Sequence, residues 1–475
     1  MPARHAPARL LLAALCFGAC DAGTTKSAPE AATKPAVAQP EVATPAVAAQ
    51  PAAPGTCRSW AGLDVTKLPP LPETPYTATF ERVWKTVLEK HYDPTLACKD
   101  WPALRAEFGA KLAGAGDDAA AYKIMNDLLD SLGQSHFRVV PPHAGAAPSK
   151  DDVGGPAVVP VQVRLIGEQL VVVASTLGGV DSGLPRGAVI RKIGERSADD
   201  ILARAREASM RPGEVAFQAA LIAESALSGQ PDQKRRVTFL DPTRGDAETT
   251  KEVACVTPPG ELVSLGNLRN LPTVVDHRML EGSKVGYIAF NYWMLPMIER
   301  VKSALTELRG QGMEALVLDL RGNPGGVGAM AIPLARMVMR ESGSLGKLQF
   351  RDFAQEFNVT GDPQAFAGPV VILVDEGTAS TSEIFAAGLR DLGRVKIAGA
   401  RASAGAALPS LIETLENGAL LQYVVGDYHT AKGTVAEGDG VAPDIVAAET
   451  RADFVAGRDP VLAAAVASLT AKPGP

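Results

Sequence analysis

From Lys284 onward, strands and helices alternate along the chain, and that alternation restricts the fold more than any other feature. Val285-Gly286-Tyr287-Ile288-Ala289-Phe290 reads as a strand and Ile298 to Leu308 as a helix. Leu316 to Leu320 reads as a second strand, Val327 to Arg340 as another helix, and Pro369 to Val374 as a third strand. Such an order predicts an α/β layer architecture. At 475 residues the chain has room for about three domains of roughly 150 residues each.

The segments ahead of this region differ from it. Phe80, Val83, Trp84, Val87 and Leu88 recur at three- and four-residue spacing, and Ala119 to Leu132 repeats the pattern, so the stretch is helical up to Leu132-Gly133-Gln134-Ser135-His136-Phe137. Pro141-Pro142 closes it. From Val158 the chain turns strand-rich, through Val158 to Val163, Leu170 to Val173, Ala188 to Ile190 and Arg235 to Leu240. Residues from about 22 to 56 are dominated by Ala, Pro, Val, Thr and Gln and read as a solvated tether that buries no core.

At the start, Arg4 and Arg9 precede the apolar run Leu10 to Phe17, which ends in Gly18-Ala19-Cys20. A basic region, a short apolar run and small residues at a cleavage point are expected of an export signal. The run is shorter than the ~20 apolar residues that a membrane-spanning helix needs. Small residues before Cys20 resemble a bacterial lipobox, with Phe17 where Leu is usual, which implies acylation of Cys20. Processing would leave Cys57, Cys98 and Cys255 in an oxidising compartment, where Cys57–Cys98 is the expected bridge because both flank the start of the folded region. A net charge of -6 with no basic cluster argues against a nucleic-acid partner.

Two strand-end turns carry the chemistry. Val371 to Val374 runs into Asp375-Glu376-Gly377-Thr378-Ala379-Ser380-Thr381-Ser382, and a helix follows through Ala386, Leu389 and Leu392. A hydroxyl at a strand-to-helix turn is presented at the sheet edge, beside the unpaired N–H groups of the helix. The second turn is Asp319-Leu320-Arg321-Gly322-Asn323-Pro324-Gly325-Gly326, whose glycines let bare backbone approach a ligand. An N–H of Gly325 or Gly326 could pair with that of Thr381 to hold an oxyanion.

Together these turns resemble peptidase family S41, which includes the C-terminal processing proteases and the tricorn core protease. The resemblance runs from about Tyr76 to Ile445. It implies a crotonase/ClpP-like spiral α/β core over 260–450, with an N-terminal helical region over 75–145 and an inserted PDZ-like β-rich domain over 155–257. The signal then occupies 1–20, the tether 21–74, and a C-terminal helix and tail 451–475. The PDZ-like reading rests on Ser182 to Ile190 followed by Ile193-Gly194, with Ala188 where an Asp is usual.

In that family the third residue of a Thr/Ser-Ala-Ser turn is the nucleophile, here Ser380. The Ser–Lys members carry their base in a Gly-Lys-Gly segment, and alignment through Ile397-Ala398-Gly399 puts Gly405 at that position. No Lys occurs between Lys396 and Lys432. The tricorn-like branch uses a Ser-His pair, matched by Ser135-His136, and a glutamate before a Gly-Val-x-Pro-Asp segment, matched by Glu437 ahead of Gly440 to Asp444. The resemblance therefore implies Ser380 as nucleophile and His136 as general base, with Ser135 and Glu437 in support. Imidazole titrates near pH 6.5 and is suited to take and return the proton that activates a serine.

The expected activity is hydrolysis of extended polypeptide through an acyl-enzyme, by an exported protein held at the bacterial cell envelope by a lipid on Cys20, or secreted if Cys20 is not acylated. The alternative is a catalytically silent peptide-binding protein on the same scaffold; a crotonase-type thioester hydratase is disfavoured by the export signal. No cofactor is expected, since the glycine turn lacks a phosphate-loop Lys, and no metal, since His-x-x-x-His and Cys-x-x-Cys spacings are missing.

Overall fold

The computed structural model describes residues 57–142, 155–209, 211–265 and 268–471. Cys20, the signal and the tether up to residue 56 lie outside the described residues.

The helical region comprises Thr77–Lys90, Trp101–Leu112 and Asp118–Asp130. The second and third begin where Asp100 and Asp117 accept from Ala103 N–H and Ala120 N–H, satisfying donors that a helix start leaves unpaired. Trp84 and Trp101 stack with centroids 6.3 Å apart, and each indole N–H donates to the other's carbonyl. The tether read over 21–74 ends by Cys57. The Cys57–Cys98 disulfide is present, and Trp60 is buried with its indole N–H on Lys99 O at 2.7 Å. A strand at Arg138–Val140 pairs with Leu420–Val424 of the later core, with Val139 opposite Leu421. This pairing brings the preceding Ser135-His136 to the core.

The strand-rich region is a sheet in the order Ala247–Ala254, Lys234–Asp241, Val189–Ile193, Gln169–Ala174, Gln162–Ile166, with helices Ala198–Ala208 and Val215–Leu227. Side-chain alternation splits it into two faces. Val163, Leu165, Leu170, Val172 and Ile190 pack toward those helices. Val171, Val173 and Val189 instead enclose Phe454, from the short helix Arg451–Val455. The C-terminal segment is thus two helices, and its second, Pro460–Thr470, packs Val461 and Ala465 against Tyr287, Val371 and Leu373 of the core.

The core sheet runs Val275–Met279, Val285–Phe290, Ala315–Asp319, Val370–Leu373, Val395–Gly399, Ile445–Val446, parallel except for the first pair. The helix expected from Val327 to Arg340 is shorter: a 3₁₀ turn at Gly328–Met330, then Ala331–Arg336. Pro333 has no N–H and fits only a first turn, and Met337 and Val338 donate to carbonyls three residues back, which ends the helix.

Candidate active site

The strand Val370–Leu373 is buried throughout and leads through Asp375–Ala379 into the helix Thr381–Asp391. Ser380 sits between them at φ 56°, ψ -121°, a conformation that costs an L-residue about 1–3 kcal/mol. Its backbone is tied down: the N–H donates to Ala406 O at 2.7 Å and to Glu383 Oε2 at 3.1 Å. Four hydroxyls crowd this turn and three have structural work. Thr378 Oγ1 donates to Leu320 O, Thr381 Oγ1 to Gly326 O, and Ser382 Oγ to Asn323 O while accepting from Trp293 Nε1. Among the described residues, Ser380 Oγ donates to none of these carbonyls. Of the four, it is the hydroxyl whose proton has no acceptor among the described residues.

The glycine turn is fitted onto it. A Cβ on Gly325, at φ 96°, would lie 2.7 Å from Ser380 Cβ and 2.9 Å from Thr381 N, so only glycine allows the approach. Gly325 N–H is itself engaged by Asn323 Oδ1 at 3.0 Å. The N–H groups of Thr381 and Gly326 have no acceptor among the described residues. Asn323, fully buried, also donates to Phe290 O at 2.8 Å and accepts from Ala379 N–H at 3.1 Å, locking one turn to the other.

His136 adopts φ 62° just ahead of the Arg138–Val140 strand. Its Nδ1 lies 2.7 Å from Ser135 Oγ, which donates to Glu437 Oε2 at 2.9 Å, while Ser135 N–H donates to Glu437 Oε1 at 2.9 Å. The ring keeps some exposed surface, but protein packs around it, and this desolvation holds its pKa down at about 4. Burial pushes the Glu437 carboxyl up, against the donors from Ser135 and Ala407.

A single peptide unit joins the halves. The Ala406 carbonyl accepts from Ser380 N–H, and the Ala407 N–H on the other side of that peptide donates to Glu437 Oε2 at 3.0 Å. No hydrogen bond links Ser380 Oγ to His136 among the described residues. Such contacts commonly tighten only when substrate is bound.

Glu383 stands in the first turn of the helix Thr381–Asp391. It is the buried centre of the site, accepting from Ser380 N–H, Ser403 Oγ, Gly405 N–H and Ala406 N–H. Burial pushes its carboxyl up to about 7 despite those donors. Gly405, where the Ser–Lys members place their base, has φ 72°, and a Cβ there would stand 2.4 Å from Gly438 O. This backbone cannot present a lysine.

A cavity of about 680 Å³ lies over the site, lined by His136, Gln134, Pro324, Ala379 and Ala406 on one side and by Phe217 and Leu221 of the inserted region on the other. Its floor holds a buried ionic cluster that residue order did not reveal. Arg164 grips Glu376 through Nε and Nη2, both at 2.8 Å, and reaches Glu449 at 2.9 Å and Asp375 at 3.7 Å. Asp375 Oδ1 accepts from both Gly322 N–H and Gly377 N–H, tying the two turns together. Arg321 pairs with Asp319 and with Asp459. Among the described residues no His, Cys, Asp and Glu group has the geometry of a metal centre.

The sequence profile of peptidase family S41 matches residues 284–447, the segment that holds both turns and Glu437. This core belongs to peptidase family S41. A carboxyl-terminal-processing protease of Picosynechococcus sp. is 33% identical over 165 residues, 35% of this chain and 39% of that relative. The chain thus matches about two fifths of that relative's length. The chloroplastic C-terminal processing peptidase of Tetradesmus obliquus is 25% identical over 374 residues, 77% of this chain and 76% of the relative. Among solved structures, the photosystem II D1 C-terminal processing protease superposes on this chain with a TM-score of 0.52 at 21% identity, over 81% of this chain and 97% of that one. Mature CPAF complexed with lactacystin gives 0.56 at 14% identity, over 80% and 94%. At these identities the structural likeness concerns the fold.

Proposed function

We propose that this S41 chain is an exported serine peptidase of the tricorn-like Ser–His branch, which hydrolyses extended or unfolded polypeptides through an acyl-enzyme. The observation that carries the proposal is the shared Ala406–Ala407 peptide, which couples the strained Ser380 turn to the Glu437–Ser135–His136 relay. Ser380 Oγ attacks the substrate carbonyl as His136 Nε2 takes its proton. The N–H groups of Thr381 and Gly326 receive the oxyanion. Collapse expels the amine, which takes the proton from His136, and water then repeats the sequence on the acyl-enzyme. Ser135, backed by Glu437, orients the imidazole and supports its positive charge.

On this reading the core is a crotonase-like spiral. The inserted sheet is a PDZ-like module, whose edge strand Gln162–Ile166 and helix Val215–Leu227 wall the cavity through which polypeptide enters. The protein is placed at a bacterial cell envelope, held by a lipid on Cys20 and the tether. Loss of fatty-acid labelling in Cys20→Ala would support that anchor, and unchanged labelling would remove it.

The missing Ser380–His136 hydrogen bond favours one other reading, a silent peptide-binding protein. Incubating the full chain with a reduced, carboxymethylated protein and analysing fragments by mass spectrometry separates the two. Cleavage by wild type that is lost in Ser380→Ala supports the peptidase. Binding without fragments, at equal strength in both proteins, supports the silent scaffold.

A further inference from the structure

The proposed chemistry leaves one buried histidine without a task. His91 ends the helix Thr77–Lys90 and is fully buried. Its Nε2 lies 2.8 Å from Gln134 Oε1, and its Nδ1 lies 2.9 Å from Asp93 O and 3.1 Å from Asp93 N. The ring stacks on Phe137 with centroids 5.8 Å apart and tilts against Tyr92 at 4.7 Å. Gln134 and Phe137 are the residues immediately before and after Ser135-His136, so one imidazole holds both ends of the dipeptide that carries the base.

That grip is itself anchored on three sides. Gln134 Nε2 donates to Tyr92 OH at 3.2 Å. Arg351, from the S41 core, donates to the carbonyls of His91 and Leu88 at 2.8 and 2.9 Å. Asp93 accepts from Thr95 N–H and Ala97 N–H, fixing the left-handed turn Leu96–Cys98 that ends at the disulfide. His136 has φ 62° and makes no side-chain hydrogen bond other than that to Ser135 among the described residues. A non-glycine residue in that conformation persists only where its surroundings over-determine it, and His91 supplies the contacts on either side. Burial lowers the His91 pKa, which keeps the ring neutral and able to bridge Gln134 and Asp93.

We propose that His91 is a positioning residue for the general base: it grips Gln134 and Phe137 and thereby sets the place and the dehydrated surroundings of the His136 ring. The inference rests on the Ser380–His136 reading, and its test is arranged so that the two can fail separately. A displacement of ~1 Å at a reacting group can lower a rate by about a hundredfold. Full-length wild type, His91→Leu, His91→Gln and Gln134→Leu are compared in two ways. The first is the rate of fluorophosphonate labelling. The second is an NMR titration of the His136 ring with ¹³Cε1-labelled histidine, the resonance being assigned with His136→Ala.

His91→Leu and Gln134→Leu should label about tenfold to a hundredfold more slowly. In both, the His136 midpoint should rise toward 6.5 as water reaches a loosened ring. His91→Gln, whose carboxamide can still meet Gln134, should recover most of the rate. Gln134→Leu removes the same bond from a half-exposed side, so the test survives a failure of His91→Leu to fold. If folded variants keep both the labelling rate and the His136 midpoint, the inference is overturned. If wild type is not labelled, the peptidase reading fails, and the titration alone still decides whether His91 sets the His136 environment.

Discussion

Replacing Arg164 by leucine removes the one guanidinium that Glu376, Glu449 and Asp375 share. Burial alone would raise the Glu376 pKa, yet the Arg164 charge and its paired hydrogen bonds hold it down at about 2 against an ordinary 4.5. That depression is worth roughly 3 kcal/mol at neutral pH, in line with the ~3–5 kcal/mol lost when a buried pair is broken from one side. The sign follows from linkage. A carboxylate with a lowered folded pKa contributes fully above 4.5 and loses that contribution as pH falls toward 2. Urea unfolding followed by tryptophan fluorescence should therefore show Arg164→Leu less stable by about 3–5 kcal/mol at pH 7, with a gap narrower by about 2 kcal/mol at pH 3. A loss below ~1 kcal/mol at pH 7, or an equal loss at both pH values, would refute the claim that the cluster is held by this ion pairing.

Gly325→Ala should abolish labelling of Ser380 in a folded protein, because the new Cβ would sit 2.7 Å from Ser380 Cβ; a retained labelling rate would show that the turn can move aside. Glu437→Gln loses the carboxylate that accepts from Ser135 and Ala407. Its kcat should fall roughly a hundredfold with KM little changed, less than the ~10⁴ measured for a directly bonded triad carboxylate. Because desolvation holds His136 down at about 4 and only the neutral ring accepts a proton, kcat/KM should stay high below pH 6.5 and fall as pH drops toward 4. An acid limb at 6.5 or above would place that ring in water.

The parts of the site legible in sequence are those encoded locally. Val371 to Ser382 shows a buried strand, small residues and a helix start in unbroken order, and the Ser380 geometry follows from it. The Ser135-His136 pair and Glu437 were legible through resemblance, although 302 residues separate Ser135 from its carboxylate partner. What stayed hidden depends on side chains converging from distant segments. Glu383 collects donors from Ser380, Ser403, Gly405 and Ala406, and nothing in a Ser-Glu dipeptide announces that. Arg164 reads as an ordinary strand residue until Glu376 and Glu449 are brought to it. Gly325 was expected to offer its N–H, but Asn323 folds back to take it, a contact two residues long that many Asn-containing turns could make. Phe454 looked like part of a tail; only the second face of the inserted sheet explains its burial.

In the proposed chemistry, Ser380 is a nucleophile activated by His136. Fluorophosphonate labelling of the full chain, with the adduct located by peptide mass spectrometry, tests it most directly. Wild type should carry a single adduct on Ser380, Ser380→Ala none, and His136→Ala should be labelled only near background. An unlabelled wild type, or an adduct on another residue that persists in Ser380→Ala, would contradict it.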